Sequence, residues 1–190
     1  FGVTVNRHEY PNGRWHQLVF SGNGNRWNPK GLNLWLRELG IFNQRSKEKY
    51  IPKEIFRLNN DDVAFFLMHL WATDGTIYTP KKSNTSSRIA FSTNSRQLAE
   101  DVSNLLLRFA IQNRIRKVEQ GKNYNPMYIT EISGHDNQSI FLEKIGAFGA
   151  KVQQAERLKE YLGDKSVNTN VDTLPQELFG SVKKIMKEKT

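Results

Sequence analysis

The sequence has no cysteine. That absence excludes a disulfide framework and a thiolate metal centre, and it suits a reducing compartment. No apolar run approaches the roughly 20 residues needed to span a bilayer, and the start lacks the pattern of a secretory signal. The expected location is therefore cytoplasmic, with no membrane partner. Histidine is scarce, and His8, His69 and His135 fall at no metal-ligand spacing. Acidic residues are the minority charge: 19 Asp and Glu stand against 28 Lys and Arg, a net charge of +9. Together with a pI near 9.8, this imbalance points to a polyanion partner, most commonly nucleic acid. Hydrophobic residues at 37% are enough for a core.

What is present is one strongly apolar helix signal. Asn59 and Asn60 can cap a helix, and Asp61 and Asp62 favour its first turn. From Val63 to Thr73 there is no acid, Lys or Arg. Val63, Phe66, Leu67 and Leu70 make one stripe; Ala64, Met68 and Trp71 make another. A helix apolar nearly all round leaves no face for water, so it is expected between its own domain and a second body. Gly75 is a suitable stop. Asp74 is misplaced, because a carboxylate in a last turn faces the negative end of the helix dipole. A divalent cation would reverse that penalty. The plain alternative is an Asp-Gly turn without function.

The rest of the chain reads as alternating hairpins and helices. Val3–Glu9 and Trp15–Phe20 are strands about Pro11-Asn12-Gly13, and Asn28-Pro29 opens a helix with Leu32, Trp35, Leu36 and Leu39 on one face. Residues 77–79 and 88–93 form a second hairpin, with Ile89 and Phe91 pointing one way and Arg88, Ala90 and Ser92 the other. A helix with Leu98, Val102, Leu105 and Phe109 follows, then a hairpin of 114–119 and 127–132 and helices over 138–145 and 152–162. Beyond a polar linker, Pro175 opens a last helix with Leu178, Val182 and Ile185 on one side and Lys183, Lys184, Lys187 and Lys189 towards solvent. An internal repeat pairs Phe1-Gly2-Val3 with Phe109-Ala110-Ile111 and Ser21-Gly22 with Ser133-Gly134. It also pairs Leu39-Gly40-Ile41-Phe42 with Ile145-Gly146-Ala147-Phe148.

The nonapeptide Leu67-Met68-His69-Leu70-Trp71-Ala72-Thr73-Asp74-Gly75 lies between Lys49-Tyr50-Ile51-Pro52 and Phe91-Ser92-Thr93. This arrangement resembles the LAGLIDADG homing endonucleases, especially the endonuclease domains inserted in inteins of replicative DNA helicases. Leu67, Leu70, Asp74 and Gly75 match the signature; Met68 and His69 depart from the small residues usual there. The resemblance implies an α/β (α+β) fold of two pseudo-symmetric αββαββα halves with saddle-shaped antiparallel sheets. The first half is then incomplete at its N-terminal side. Residues 1–58 would be the C-terminal part of the first half plus a connector, and 59–162 the second half. Residues 163–190 would be a linker and a helix that is a candidate extra DNA contact. No residues resembling splice junctions stand at either end, so a self-splicing module is not expected in this chain.

The implied activity is site-specific, metal-dependent double-strand cleavage of DNA, the reaction behind intein-mediated homing. Asp74 and the Gly75 backbone would bind two or three Mg²⁺ ions shared between the halves. The second carboxylate would come from a missing N-terminal complement or a second copy. Lys151, and by the repeat Arg45, would be the basic residues of the active site, and Thr93 a water-holding side chain. In the family a sheet sits in the major groove. Arg7, His16, Gln17, Arg88, Ser92, Arg114, Arg116, Lys117 and Thr130 are the implied base-edge contacts. Lys81, Lys82 and Lys122 are the implied phosphate contacts. The alternative is a degenerate or truncated relative that grips DNA, or RNA in the manner of a maturase, without cutting.

Overall fold

The computed structural model describes residues 1–10, 12–13, 15–81, 86–121, 124–163 and 176–188. Pro11, Lys82, Lys122, Pro175 and Lys189 lie outside the described residues. The elements are β1 (Thr4–Tyr10), β2 (Trp15–Ser21), α1 (Gly31–Glu38), α2 (Asn60–Asp74), β3 (Gly75–Tyr78) and β4 (Arg88–Thr93). They continue with α3 (Arg96–Leu107), β5 (Arg114–Val118), β6 (Met127–Ile132), α4 (His135–Lys144), α5 (Val152–Gly163) and α6 (Gln176–Glu188). Short 3-10 turns lie at Ile55–Arg57 and Gly149–Lys151. The fold is mixed α/β with two antiparallel sheets, β1-β2 and β3-β4-β6-β5. From α2 to α4 the order is αββαββα; β1, β2 and α1 repeat its last three elements.

The repeat is visible in the backbone itself. Gly2 and Ala110 have φ of 61° and 57°, Gly22 and Gly134 of 91° and 85°, and Gly40 and Gly146 of 73° and 70°. Three residues further on, Asn43 and Gly149 match at 59° and 61°. Left-handed torsions are costly for Ala and uncommon outside Gly and Asn, so their recurrence at equivalent positions marks one corner geometry used twice.

α2 starts as its sequence predicts. Asn59 Oδ1 accepts the Asp62 amide at 2.9 Å, and Asn59 Nδ2 donates back to Asp62 Oδ2 at 2.8 Å. Val63, Leu67 and Trp71, one residue per turn, are fully buried. The Trp71 ring meets Phe91 of β4 at 5.5 Å and Phe141 of α4 at 4.9 Å. Val102, Leu105 and Leu106 of α3 and Leu158 and Leu162 of α5 complete the same core.

The expected enclosure of α2 on both sides is not present among the described residues. Phe65, on the face away from the core, is 62% exposed. Gly75 does end the helix as its C-cap, but in extended rather than left-handed geometry: its φ is −82°, and it runs straight into β3. Glycine is needed for space, because a Cβ here would lie 2.2 Å from Trp71 Cδ1.

No described residue before Ile51 is buried. The connector around it docks on α3. Ile51 N–H donates to Asp101 Oδ2 at 2.9 Å, and Ser95 Oγ donates to the Lys49 carbonyl. α1 begins later than the sequence indicated. Asn28 does not cap it; the Asn25 carboxamide oxygen takes the amides of Trp27 and Asn28, and Pro29 pairs with Gly24.

The crowding at Gly75 has a measurable cost. Gly75→Ala is expected to lower stability by about 1–3 kcal/mol in urea unfolding. Trimming the indole by Trp71→Leu in the same background should recover part of that loss in a double-mutant cycle.

Candidate active site

The C-terminal end of α2 is where polar groups converge. Asp74 is the last helical residue and is exposed. The final carbonyls of a helix lack amide partners and carry its negative partial charge. α2 has no basic residue in its last turn to offset them. Lys151 supplies that charge from elsewhere: its Nζ donates to the Gly75 carbonyl at 2.7 Å. The two residues are 76 positions apart in sequence.

The turn that delivers Lys151 is braced by aromatic rings. The Phe148 ring lies 4.5 Å from His69, which in turn meets Phe65 edge-on at 4.5 Å. The corner then passes through Gly149 in left-handed geometry, and the Lys151 amide closes onto the Phe148 carbonyl at 3.3 Å. His69 is thus a packing residue, and its partner on the Lys151 turn is Phe148. A smaller residue would leave Phe148 without that support.

Asp74 and Gly75 offer a carboxylate and a carbonyl, both hard oxygen donors of the kind Mg²⁺ takes. Among the described residues no three His, Cys, Asp or Glu gather to hold a metal. A cation here would complete its shell with water, phosphate or a further carboxylate. Thr93 lies two residues past Phe91, the cross-strand partner of Gly75, so it sits at the Asp74 end of the sheet. Its Oγ1 accepts the Ser95 amide at 3.1 Å, which makes it part of the α3 cap. Arg45 is in the first unit; its amide is held by Glu48 at 3.1 Å, and no hydrogen bond or ion pair links it to Asp74.

Strand register sorts the remaining candidates by face. Gly75, Ile77, Ile89, Phe91, Thr130 and Ile132 face the helices. Thr130 is therefore not a surface contact: it is fully buried, and its hydroxyl donates to the Ala99 carbonyl at 3.2 Å. Lys117 pairs with Tyr128 and shares the parity of Ile115, so it too leaves the outer face. Its ammonium is bound by Glu119 at 2.6 Å, a hydrogen bond that raises its pKa above the usual lysine value. The outer face carries Thr76, Tyr78, Arg88, Ser92, Arg114 and Arg116, together with Ala90, Ile129 and Glu131, which is the cross-strand partner of Arg114. The three arginines on it are exposed and form no ion pair among the described residues. Tyr78, 46% exposed, was overlooked; alternation from Ile77 would have found it. Lys81 is exposed in the following loop.

In the first unit, β1 and β2 pair Arg7 with Leu18 and His8 with Gln17. Arg7 and His16 therefore share one face and Gln17 lies on the other, contrary to the single face expected. The repeat aligns Asn6 and His8 with Arg114 and Arg116, so Gln17, Asn6 and His8 are the outer-face residues. Arg7 is ion-paired to Glu9 at 3.1 Å on the opposite face.

Residues 61–146 match the family profile described as LAGLIDADG-like domain. These limits hold α2, the four-stranded sheet, α3 and α4, with Asp74 and Gly75 at the α2–β3 junction. Over this stretch the chain is similar to a LAGLIDADG-like domain. It is similar to the replicative DNA helicase DnaB of Rhodothermus marinus, 38% identical over 172 residues, covering 87% of this chain and 18% of that protein. The DnaB of Nostoc sp. is 33% identical over 188 residues, covering 96% and 21%. The replication factor C small subunit of Methanocaldococcus jannaschii is 29% identical over 162 residues, covering 85% and 8%. The chain thus spans about a fifth or less of the length of these relatives.

Presentation of Lys151 depends on the aromatic brace of His69 and Phe148. His69→Ala should speed amide hydrogen exchange across residues 149–152 at least several-fold while leaving α3 protected, as read by exchange mass spectrometry.

Proposed function

We propose that this chain is the endonuclease part of an intein and cuts double-stranded DNA at a specific site with Mg²⁺. The observation that carries this reading is the pairing of an exposed Asp74 at the end of α2 with Lys151 on the adjacent Gly75 carbonyl. Proteins of different names share this segment, and it makes up only 18%, 21% and 8% of their lengths, which supports an inserted module. On this reading residues 1–58 belong to a first endonuclease half and 59–162 to the second.

Hydrolysis of a phosphodiester needs an activated water, neutralised phosphate charge and a stabilised leaving oxygen. Divalent ions, when bound, supply Lewis acidity at the phosphate and lower the pKa of water. Asp74 and the Gly75 carbonyl would hold such an ion at the negative end of α2. Lys151 would stabilise charge that develops on the phosphate. The second carboxylate would arrive on a twin helix packed over the exposed Phe65 face. Arg88, Arg114 and Arg116 on the outer sheet face, with Ser92 and Tyr78, would enter the major groove. Lys81 and the exposed Lys183, Lys184 and Lys187 of α6 would meet phosphates.

A second reading has one observation in its favour: the described residues bring only one carboxylate to the site. A chain that grips DNA or RNA without cutting would show the same outer face.

Cleavage of plasmid DNA by the intact protein separates the two. Asp74→Asn should abolish Mg²⁺-dependent cutting and leave DNA affinity within a few-fold; retained cutting would remove Asp74 from the chemistry. Arg116→Ala should weaken binding, with affinity falling steeply as salt rises. Thr130→Val serves as the control, expected to cost about 1 kcal/mol of stability with DNA affinity unchanged.

A further inference from the structure

The Gly75 carbonyl has two claimants. It is one of the two oxygens proposed to hold the divalent ion, and it already accepts the Lys151 ammonium at 2.7 Å. The need for a cation there follows from α2 itself. The helix ends in exposed Asp74, has Asp61 and Asp62 only at its far end, and lacks any basic residue in its last turn. The negative end of the dipole and the carboxylate therefore repel each other unless a positive charge comes from outside the helix.

We propose that Lys151 is a stand-in cation: it neutralises the end of α2 in the metal-free protein and yields the Gly75 carbonyl to a divalent ion. The proposal rests on the nuclease reading above. A carbonyl oxygen has two lone pairs, so geometry alone would allow both partners. Charge decides against it. Mg²⁺ binds oxygen at about 2.1 Å, which would put a double and a single positive charge within roughly 4 Å of each other. Lysine suits the exchange because its ammonium is a compact point charge on a flexible four-carbon stem. Its backbone need not move, since Phe148 against His69 and the left-handed Gly149 fix the turn independently of the amine. Once displaced, the amine is free for a phosphate oxygen, so loading the ion and releasing Lys151 are one event.

A structural lysine and a competing one predict opposite signs for metal affinity, and that difference is the test. The whole chain is titrated with Tb³⁺, a hard cation whose luminescence the Trp71 indole beside Gly75 can sensitise, and Mg²⁺ is used as the competitor. Lys151→Met should bind both ions roughly tenfold more tightly than the unaltered protein, while melting at a lower temperature without metal. Lys151→Ala, which also removes the amine, should behave alike, and Lys151→Arg should keep the original affinity. Unchanged or weaker binding by both Lys151→Met and Lys151→Ala overturns the proposal. Asp74→Asn tells the two levels apart. If it abolishes binding while the Lys151 variants bind no tighter, the metal site stands and the exchange does not. If it binds as the unaltered protein does, the metal site at Asp74 falls and the exchange falls with it.

Discussion

The contact between Trp71 and Gly75 sets the rest of the site. The indole is fully buried between β4 and α4, and it lies where a side chain on Gly75 would be. It therefore fixes where α2 stops and β3 starts, with no intervening loop to take up error. Asp74, one residue earlier, is carried by two rigid elements at once. The backbone of Asp74 placed this way has little freedom, while its carboxylate stays open to solvent. Gly75 also explains how a strand can leave a helix at once: the chain passes edge-on to a large ring that would block any other residue.

Much of this was legible from residues alone, for definable reasons. The α2 signal was strong because apolar residues, an Asn cap and two early acids all agreed. The repeat could be read from short matches such as Leu39-Gly40-Ile41-Phe42 and Ile145-Gly146-Ala147-Phe148. These matches record left-handed corners, and few residue types tolerate such corners. Lys151 was placed beside the end of α2 by family resemblance, and its amine does reach Gly75.

The failures share a cause. Which face a strand residue occupies depends on a register set by its neighbours, and a shift of one residue inverts it. Thr130 looked like a polar surface residue, yet it sits opposite Phe91 and Ile115 and faces α3. Arg7, His16 and Gln17 looked like one group, yet antiparallel pairing divides them. The reason for Gly75 was also hidden. Sequence offered a conformational explanation, whereas the structure gives a steric one that depends on where the Trp71 ring points. His69 was read as a departure from the small residues of the signature; its contact with Phe148 lies in three dimensions and has no local sequence signal.

The β1–β2 hairpin has a consequence of its own. All of its residues in both strands are exposed, and it belongs to a two-stranded sheet. A ribbon of that kind is marginal in water, because among the described residues no apolar layer backs its ladder. Its amides will trade protons with solvent through small local openings rather than through loss of the whole fold. A surface that clamped it would first have to cover the entropy of stiffening it, so this end would adapt its shape in a complex whereas the Trp71 end would arrive preformed.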